Sequence, residues 1–141
     1  MAERIASLLT GRNRAPLSQE DVRRAVNAFL GLDDSVNARY DPDSPTSFRV
    51  SRDGAGLPFG EIVFGCDIYP GPGVVDPNSA LSLDAACAHE LTHYYRWRDK
   101  RALSEDTRRH VDEALTSLEA VSRYRRHLND TDVQQLISDA I

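Results

Sequence analysis

Two histidines, at 89 and 93, flank a glutamate at 90 in the run Ala88-His89-Glu90-Leu91-Thr92-His93-Tyr94. On a helix, residues four apart project from one face about a turn apart, so both imidazoles can reach a single metal ion. The glutamate beside the first can then meet a water on that metal. This is the H-E-x-x-H pattern, in which both histidines bind Zn²⁺ and the glutamate is the general base of a hydrolase, so Glu90 is expected in that role. With only 4 histidines in 141 residues, a chance match is expected roughly 0.005 times per such chain from residue frequencies at this spacing. Chance is a poor explanation.

The pattern needs a helix that runs through a core. Leu81-Ser82-Leu83-Asp84-Ala85-Ala86-Cys87-Ala88 supplies small and apolar residues ahead of it, and Tyr94, Tyr95 and Trp97 follow. Imidazoles buried on such a helix need polar partners, and a metal uses both. The helix is expected to open at Asp76-Pro77-Asn78-Ser79, with its cap at Asn78 or Ser82, and to reach about Lys100. A second helix is expected from Ser104, with Glu105 and Asp106 in its first turn, to about His127. Its apolar stripe reads Val111, Ala114, Leu115, Leu118 and Val121. Asp130 or Thr131 then caps a last helix through Val133, Leu136, Ile137 and Ile141.

Upstream, residues 1–10 suit a short helix broken at Gly11–Pro16. Ser18 caps a helix from about Gln19 to Leu30, with Leu17 and Val22 as a hydrophobic staple, Phe29 and Val26 facing inward, and Gly31 as the stop. Strand signals follow: a short one at Val36–Tyr40, an alternating one at Phe48–Arg52, an Asp53-Gly54 turn, and a longer one at Phe59–Tyr69. Pro70-Gly71-Pro72-Gly73 ends it. No repeats or linkers interrupt the chain. The expectation is one α+β domain over residues 1–141, with a small antiparallel sheet packed on helices.

Hydrophobic content of 40% and charged content of 28% are ordinary for a soluble protein. The start, Met1 to Leu9, has too short an apolar run for a secretory signal, and no run approaches a transmembrane span, so a cytoplasmic protein without membrane contact is expected. Cys66 and Cys87 are expected to stay reduced. The net charge of −5 is uneven: nine Arg/Lys against six Asp/Glu leaves +3 between Tyr94 and His127. Clusters such as Arg96/Arg98/Lys100/Arg101 and Arg123/Arg125/Arg126 read as wet helix faces, and nucleic acid is not expected as a partner.

A catalytic zinc usually takes three protein ligands. The remaining histidines are His110 and His127, and the carboxylates to weigh are Asp99, Asp112, Glu113 and Glu119. His89-Glu90-Leu91-Thr92-His93 followed by Asp112-Glu113-Ala114-Leu115-Thr116-Ser117 resembles the gluzincin metallopeptidases, the thermolysin-like clan, over about thirty residues. In that family a glutamate in an Asn/Asp-Glu-Ala segment twenty residues after the second histidine is the third ligand, and Glu113 stands there. The resemblance implies His89, His93 and Glu113 as ligands and Glu90 as base, in a minimal zincin-like domain. Glu119 remains the rival ligand. Asp99 would suit other zincins, but these turn the chain at a glycine where Arg96 stands. The family also carries an aspartate four residues after the ligand glutamate, which orients a histidine ligand. Ser117 replaces it here, so either its hydroxyl or one of Asp84, Asp112 and Glu119 must accept that bond, and zinc affinity is expected to be lower.

The expected activity is hydrolysis of a peptide bond, with Glu90 taking a proton from zinc-bound water and passing it to the leaving amine. His110, one turn before Glu113, is the first candidate for stabilising the oxyanion, ahead of His127, Tyr94 and Tyr124. An extended substrate is expected to pair with an edge strand, for which Gly60–Tyr69 is the candidate. Within 141 residues no room is expected for the second, helical domain that walls the cleft in large gluzincins, so the groove is expected to be shallow, completed by a regulatory partner, or dedicated to one specific protein target. The alternative is a catalytically inactive zincin-like binding or regulatory protein that retains a zinc site.

Overall fold

Ser18 starts the first helix as expected: its side chain accepts the Asp21 amide, and helix α1 spans Gln19–Leu32. The computed structural model describes residues 15–69, 82–101 and 109–140, with the side chains of Arg109, His110 and Asp139 excepted. The expected helix over residues 1–10 and the caps considered at Asn78 and Ser104 lie outside the described residues. Helix α1 does not stop at Gly31. Asp33 ends it instead, in extended conformation with its amide bonded to the Phe29 carbonyl. The Asp33 carboxylate accepts the Ser35 amide and hydroxyl and, on its other oxygen, the Tyr95 hydroxyl. A side chain that bonds its own following turn competes with continued helix, which is why Asp33 and not Gly31 sets the end.

Three strands follow: β1 (Ala38–Tyr40), β2 (Ser47–Arg52) and β3 (Pro58–Phe64). They lie in the order β1-β3-β2, with β1 parallel and β2 antiparallel to β3. The sheet is therefore mixed, not antiparallel, and the expected edge at Gly60–Tyr69 is its central strand. The β2–β3 connection is anchored by Asp53, whose carboxylate accepts the amides of Ala55 and Leu57, and Gly56 takes the positive φ of +79° that the loop requires.

Strand β3 also ends earlier than its alternation suggests. At Gly65 the chain turns into a 3-10 segment, Cys66–Ile68. A Cβ at Gly65 would overlap the Ser44 carbonyl oxygen. Thr46 seals the corner: Asp67 accepts its amide at 2.9 Å and its hydroxyl at 2.7 Å, and that hydroxyl oxygen accepts the Gly65 amide.

Three more helices complete the described fold: α2 (Leu83–Arg98), α3 (Arg109–Tyr124) and α4 (Asp130–Ala140). Helix α2 is the central element, buried on several sides through Ala85, Cys87, Ala88, Leu91, Thr92 and Tyr95. Its N-cap is Ser82, whose oxygen accepts the Ala85 amide and whose hydroxyl donates to Asp132 on α4. The Ser82 amide donates to Gln135. Asp132 belongs in turn to a reciprocal cap with Asn129, each side chain accepting the other's amide, which places the cap of α4 one residue before the expected Asp130. The start of the metal-motif helix is thereby tied to α4. The core joins Phe29 and Ala25 of α1, Ile62 and Phe64 of β3, the apolar side chains of α2, and Ala120, Tyr124, Leu128 and Leu136.

Candidate metal centre

Helix α3 delivers its polar face to α2. Its expected stripe of Val111, Ala114, Leu115, Leu118 and Val121 holds in part: Val121 packs on the core and Val111 and Ala114 are half-buried, but Leu115 and Leu118 are 41% and 49% exposed, while Thr116, Ser117 and Ala120 are fully buried. Two hydroxyls at buried helix positions need partners. They find them in the histidines of α2, and that exchange decides which face of α3 turns inward.

The result is a convergence of three donors. Glu113 sets Oε2 2.8 Å from His89 Nε2 and Oε1 3.1 Å from His93 Nε2. The two imidazoles stand edge to face, 84° apart. The donor atoms of His89, His93 and Glu113 all lie within 4.8 Å of one another, so this trio could hold a metal ion. Donors about 2.05 Å from a common tetrahedral ion lie roughly 3.3 Å apart. The two observed separations fall a few tenths of an ångström inside that, and two nitrogens with one carboxylate are a donor set that suits zinc.

Each imidazole is oriented through its other nitrogen by a hydroxyl of α3. His89 Nδ1 lies 2.8 Å from Ser117 Oγ, in surroundings that leave His89 only 5% exposed. His93 Nδ1 lies 3.4 Å from Thr116 Oγ1, whose own proton goes to the Asp112 carbonyl at 2.7 Å. Thr116 can therefore act only as acceptor towards Nδ1, an arrangement that, with an ion in the site, would put the His93 proton on Nδ1 and free the Nε2 lone pair for the ion. That is the tautomer a metal ligand needs. The Asp112 carboxylate lies 4.0 Å from the same Nδ1. Of the residues weighed for an orienting bond, Ser117 reaches His89 Nδ1 and Asp112 stands near His93. Asp84 is exposed.

Hydrogen bonds from His89 and His93 hold the Glu113 carboxyl well below the usual carboxylate range, in spite of its burial. Glu90 behaves in the opposite sense. Burial pushes its carboxyl up, as do Glu113 and Asp67, and the nearby imidazoles only partly offset this. Its Oε2 is buried without a hydrogen-bond partner. An orphaned carboxylate oxygen with raised proton affinity, one residue from a ligand, fits a group that receives a proton.

The rival ligands are engaged elsewhere. Glu119 meets Arg123 Nε at 3.0 Å, Arg96 Nη1 at 3.7 Å and Arg101. Asp99 pairs with Arg98 at 3.0 Å and with Arg123. The side chain of His110 lies outside the described residues. Tyr124 is eleven residues along α3 from Glu113, about 16 Å at 1.5 Å per residue, and its hydroxyl is joined to that of Tyr95 at 2.6 Å. His127 lies further still and is exposed, with its ring against Tyr124. Tyr94 packs between Phe48 and Trp97. Neither Tyr124 nor His127 is brought to the trio as an oxyanion donor.

Reading from sequence missed Thr116 and Arg96. Thr116 was findable, since it lies three residues after Glu113 on the same helix face. Arg96 is 5% exposed and not the wet charge its cluster suggests. Among the described residues no helix is long and apolar enough to cross a membrane. No family model, curated protein or solved structure matches this chain.

Proposed function

We propose that this chain is a zinc metallopeptidase of minimal gluzincin type, a zincin-like domain that hydrolyses a peptide bond in a specific protein target. The observation that carries the reading is the meeting of His89, His93 and Glu113 beside a buried, unpartnered Glu90 oxygen. Zn²⁺, when bound, polarises a substrate carbonyl and makes water acidic enough to attack near neutral pH. Glu90 takes the proton of the attacking water and delivers it to the leaving amine. Ser117 and Thr116 keep both Nε2 lone pairs turned inward, and Glu113 supplies the negative charge of the ligand set. The sheet edge beside α2 is β2, whose Phe48 packs on Tyr94 and Trp97, so an extended substrate would pair there and not along β3. Proline at an outward-facing β2 amide should then lower cleavage and leave zinc affinity unchanged.

The test is paired. Zinc content and affinity are measured for the parent, His89→Ala and Glu90→Gln, alongside cleavage of a proteome-derived peptide library. Glu90→Gln should keep zinc and lose about 10²- to 10⁴-fold in rate, the usual contribution of a positioned acid–base group. Cleavage at the parental rate by Glu90→Gln would refute the reading. Zinc binding without cleavage by the parent would favour the alternative, a catalytically inactive zincin-like regulatory protein.

A further inference from the structure

Arg96 sits one turn after His93, in the groove between α2 and α3, and is 5% exposed. Its Nη2 donates to Asp112 Oδ1 at 3.0 Å and to the Arg101 carbonyl at 3.1 Å, and Nη1 lies 3.7 Å from Glu119. Its Nε is buried with no partner. Burying a cation with an unsatisfied N–H is costly, and a buried ion pair is weak evidence for stability, since an apolar side chain of similar size often serves as well. What an apolar side chain would not do is fix a carboxylate in place.

That carboxylate is Asp112. It adjoins Glu113 in sequence, lies 4.0 Å from His93 Nδ1, and its backbone carbonyl accepts the Thr116 proton that makes Thr116 an acceptor for His93. A cation that grips Asp112 from α2 therefore sets the register of the α3 turn carrying both Glu113 and Thr116. We propose that Arg96 is a positioning residue of the metal centre, holding Asp112 so that Thr116 and Asp112 face His93 Nδ1 while Glu113 reaches both imidazoles. The inference rests on the metal-site reading above.

Arg101 provides the control. It also crosses from the end of α2, but its described ion pair is with Glu119 and not with Asp112. The experiment compares Arg96→Met, Arg96→Lys and Arg101→Met in the full chain, by chelator-competition zinc affinity and by ¹⁵N shifts of the imidazole nitrogens. Arg96→Met should weaken zinc about 10- to 100-fold, the usual effect of losing a group that orients a ligand. It should also move His93 from one tautomer towards a mixture while His89 keeps its own. Arg96→Lys, with a single point charge, should recover part of both effects. Arg101→Met should stay within about twofold of the parent on the same scale. Equal losses for Arg96→Met and Arg101→Met, or a His93 tautomer unchanged in Arg96→Met, would overturn the proposal and leave Arg96 as helix packing. If Arg96→Met fails to fold, the comparison of Arg96→Lys with Arg101→Met decides by the same two readouts. Failure of the parent to bind zinc would sink the metal-site reading, whereas the tautomer measurement would still report on Arg96 and His93.

Discussion

Replacing Ser117 with alanine removes one oxygen from a fully buried position, 2.8 Å from His89 Nδ1. A buried hydrogen-bonding group left without its partner costs about 1–3 kcal/mol. The loss falls unequally on the two states of the protein. With zinc bound, Nε2 must present its lone pair, so Nδ1 carries the proton and needs an acceptor that alanine cannot supply. Without zinc, His89 can take the other tautomer and donate from Nε2 to Glu113, 2.8 Å away. The metal-bound state therefore bears the larger penalty. A differential of roughly 1.4–2.8 kcal/mol corresponds to a 10- to 100-fold weaker Kd. Competition against a chelating dye at pH 7.5 reads that shift directly, and thermal unfolding with and without excess zinc reads it again as a smaller gain in Tm. Ser117→Asp is not expected to restore affinity, although the family pattern has aspartate there. Its carboxyl oxygens reach about one bond further than the serine oxygen, into an imidazole already at hydrogen-bond distance. Zinc affinity within twofold of the parent in Ser117→Ala would refute the argument that this hydroxyl orients His89.

Gly65→Ala should be the more damaging of two glycine changes, because its Cβ would meet the backbone oxygen of Ser44, whereas Gly60→Ala meets ring atoms of Phe48 and Tyr94 at 2.7 and 2.8 Å. Overpacking of the second kind costs typically 1–3 kcal/mol, and urea titration should place Gly65→Ala beyond it. Asp132→Ala removes the bond to Ser82 and the bond that accepts the Asn129 amide, so a loss of about 1–3 kcal/mol is expected; a stability within about 0.3 kcal/mol of the parent, on a scale where surface changes stay within about 0.5, would refute the tie between α2 and α4. Burial raises the Asp33 carboxyl, but hydrogen bonds from Ser35 and Tyr95 and the charge of Arg98 outweigh it, leaving the group below its ordinary value. A carboxyl depressed in the folded state stabilises it fully above the unfolded value of about 3.9 and loses that contribution as pH falls. The parent's advantage over Asp33→Asn should thus be constant near pH 6–7 and shrink below about pH 4, and a difference independent of pH would argue against it.

The parts of this fold that sequence makes legible are those settled within a few residues. Ser18 and Ser82 cap helices because a hydroxyl there satisfies an amide three residues on, and H-E-x-x-H presents one face whatever surrounds it. The sheet was less legible because β3 reads as an alternating strand whether central or at an edge. Its place between β1 and β2 depends on a parallel pairing with Ala38–Tyr40 that local pattern does not encode. The inward face of α3 is only partly legible for a related reason. Apolar periodicity favours Leu115 and Leu118, yet the imidazoles of α2 require Thr116 and Ser117 opposite them. Hydrogen-bond demand between helices thus overrides the apolar stripe, at the cost of leaving two leucines in solvent. Arg96 follows the same logic. In a run of arginines it reads as solvated, and only the arrival of Asp112 and Glu119 from α3 makes its burial possible. The spacing of Glu113 from His93 was legible because side chains that are to share one ion must meet at one point. The groups that orient those ligands need only reach them, so they admit several residue types and leave a weaker trace in sequence.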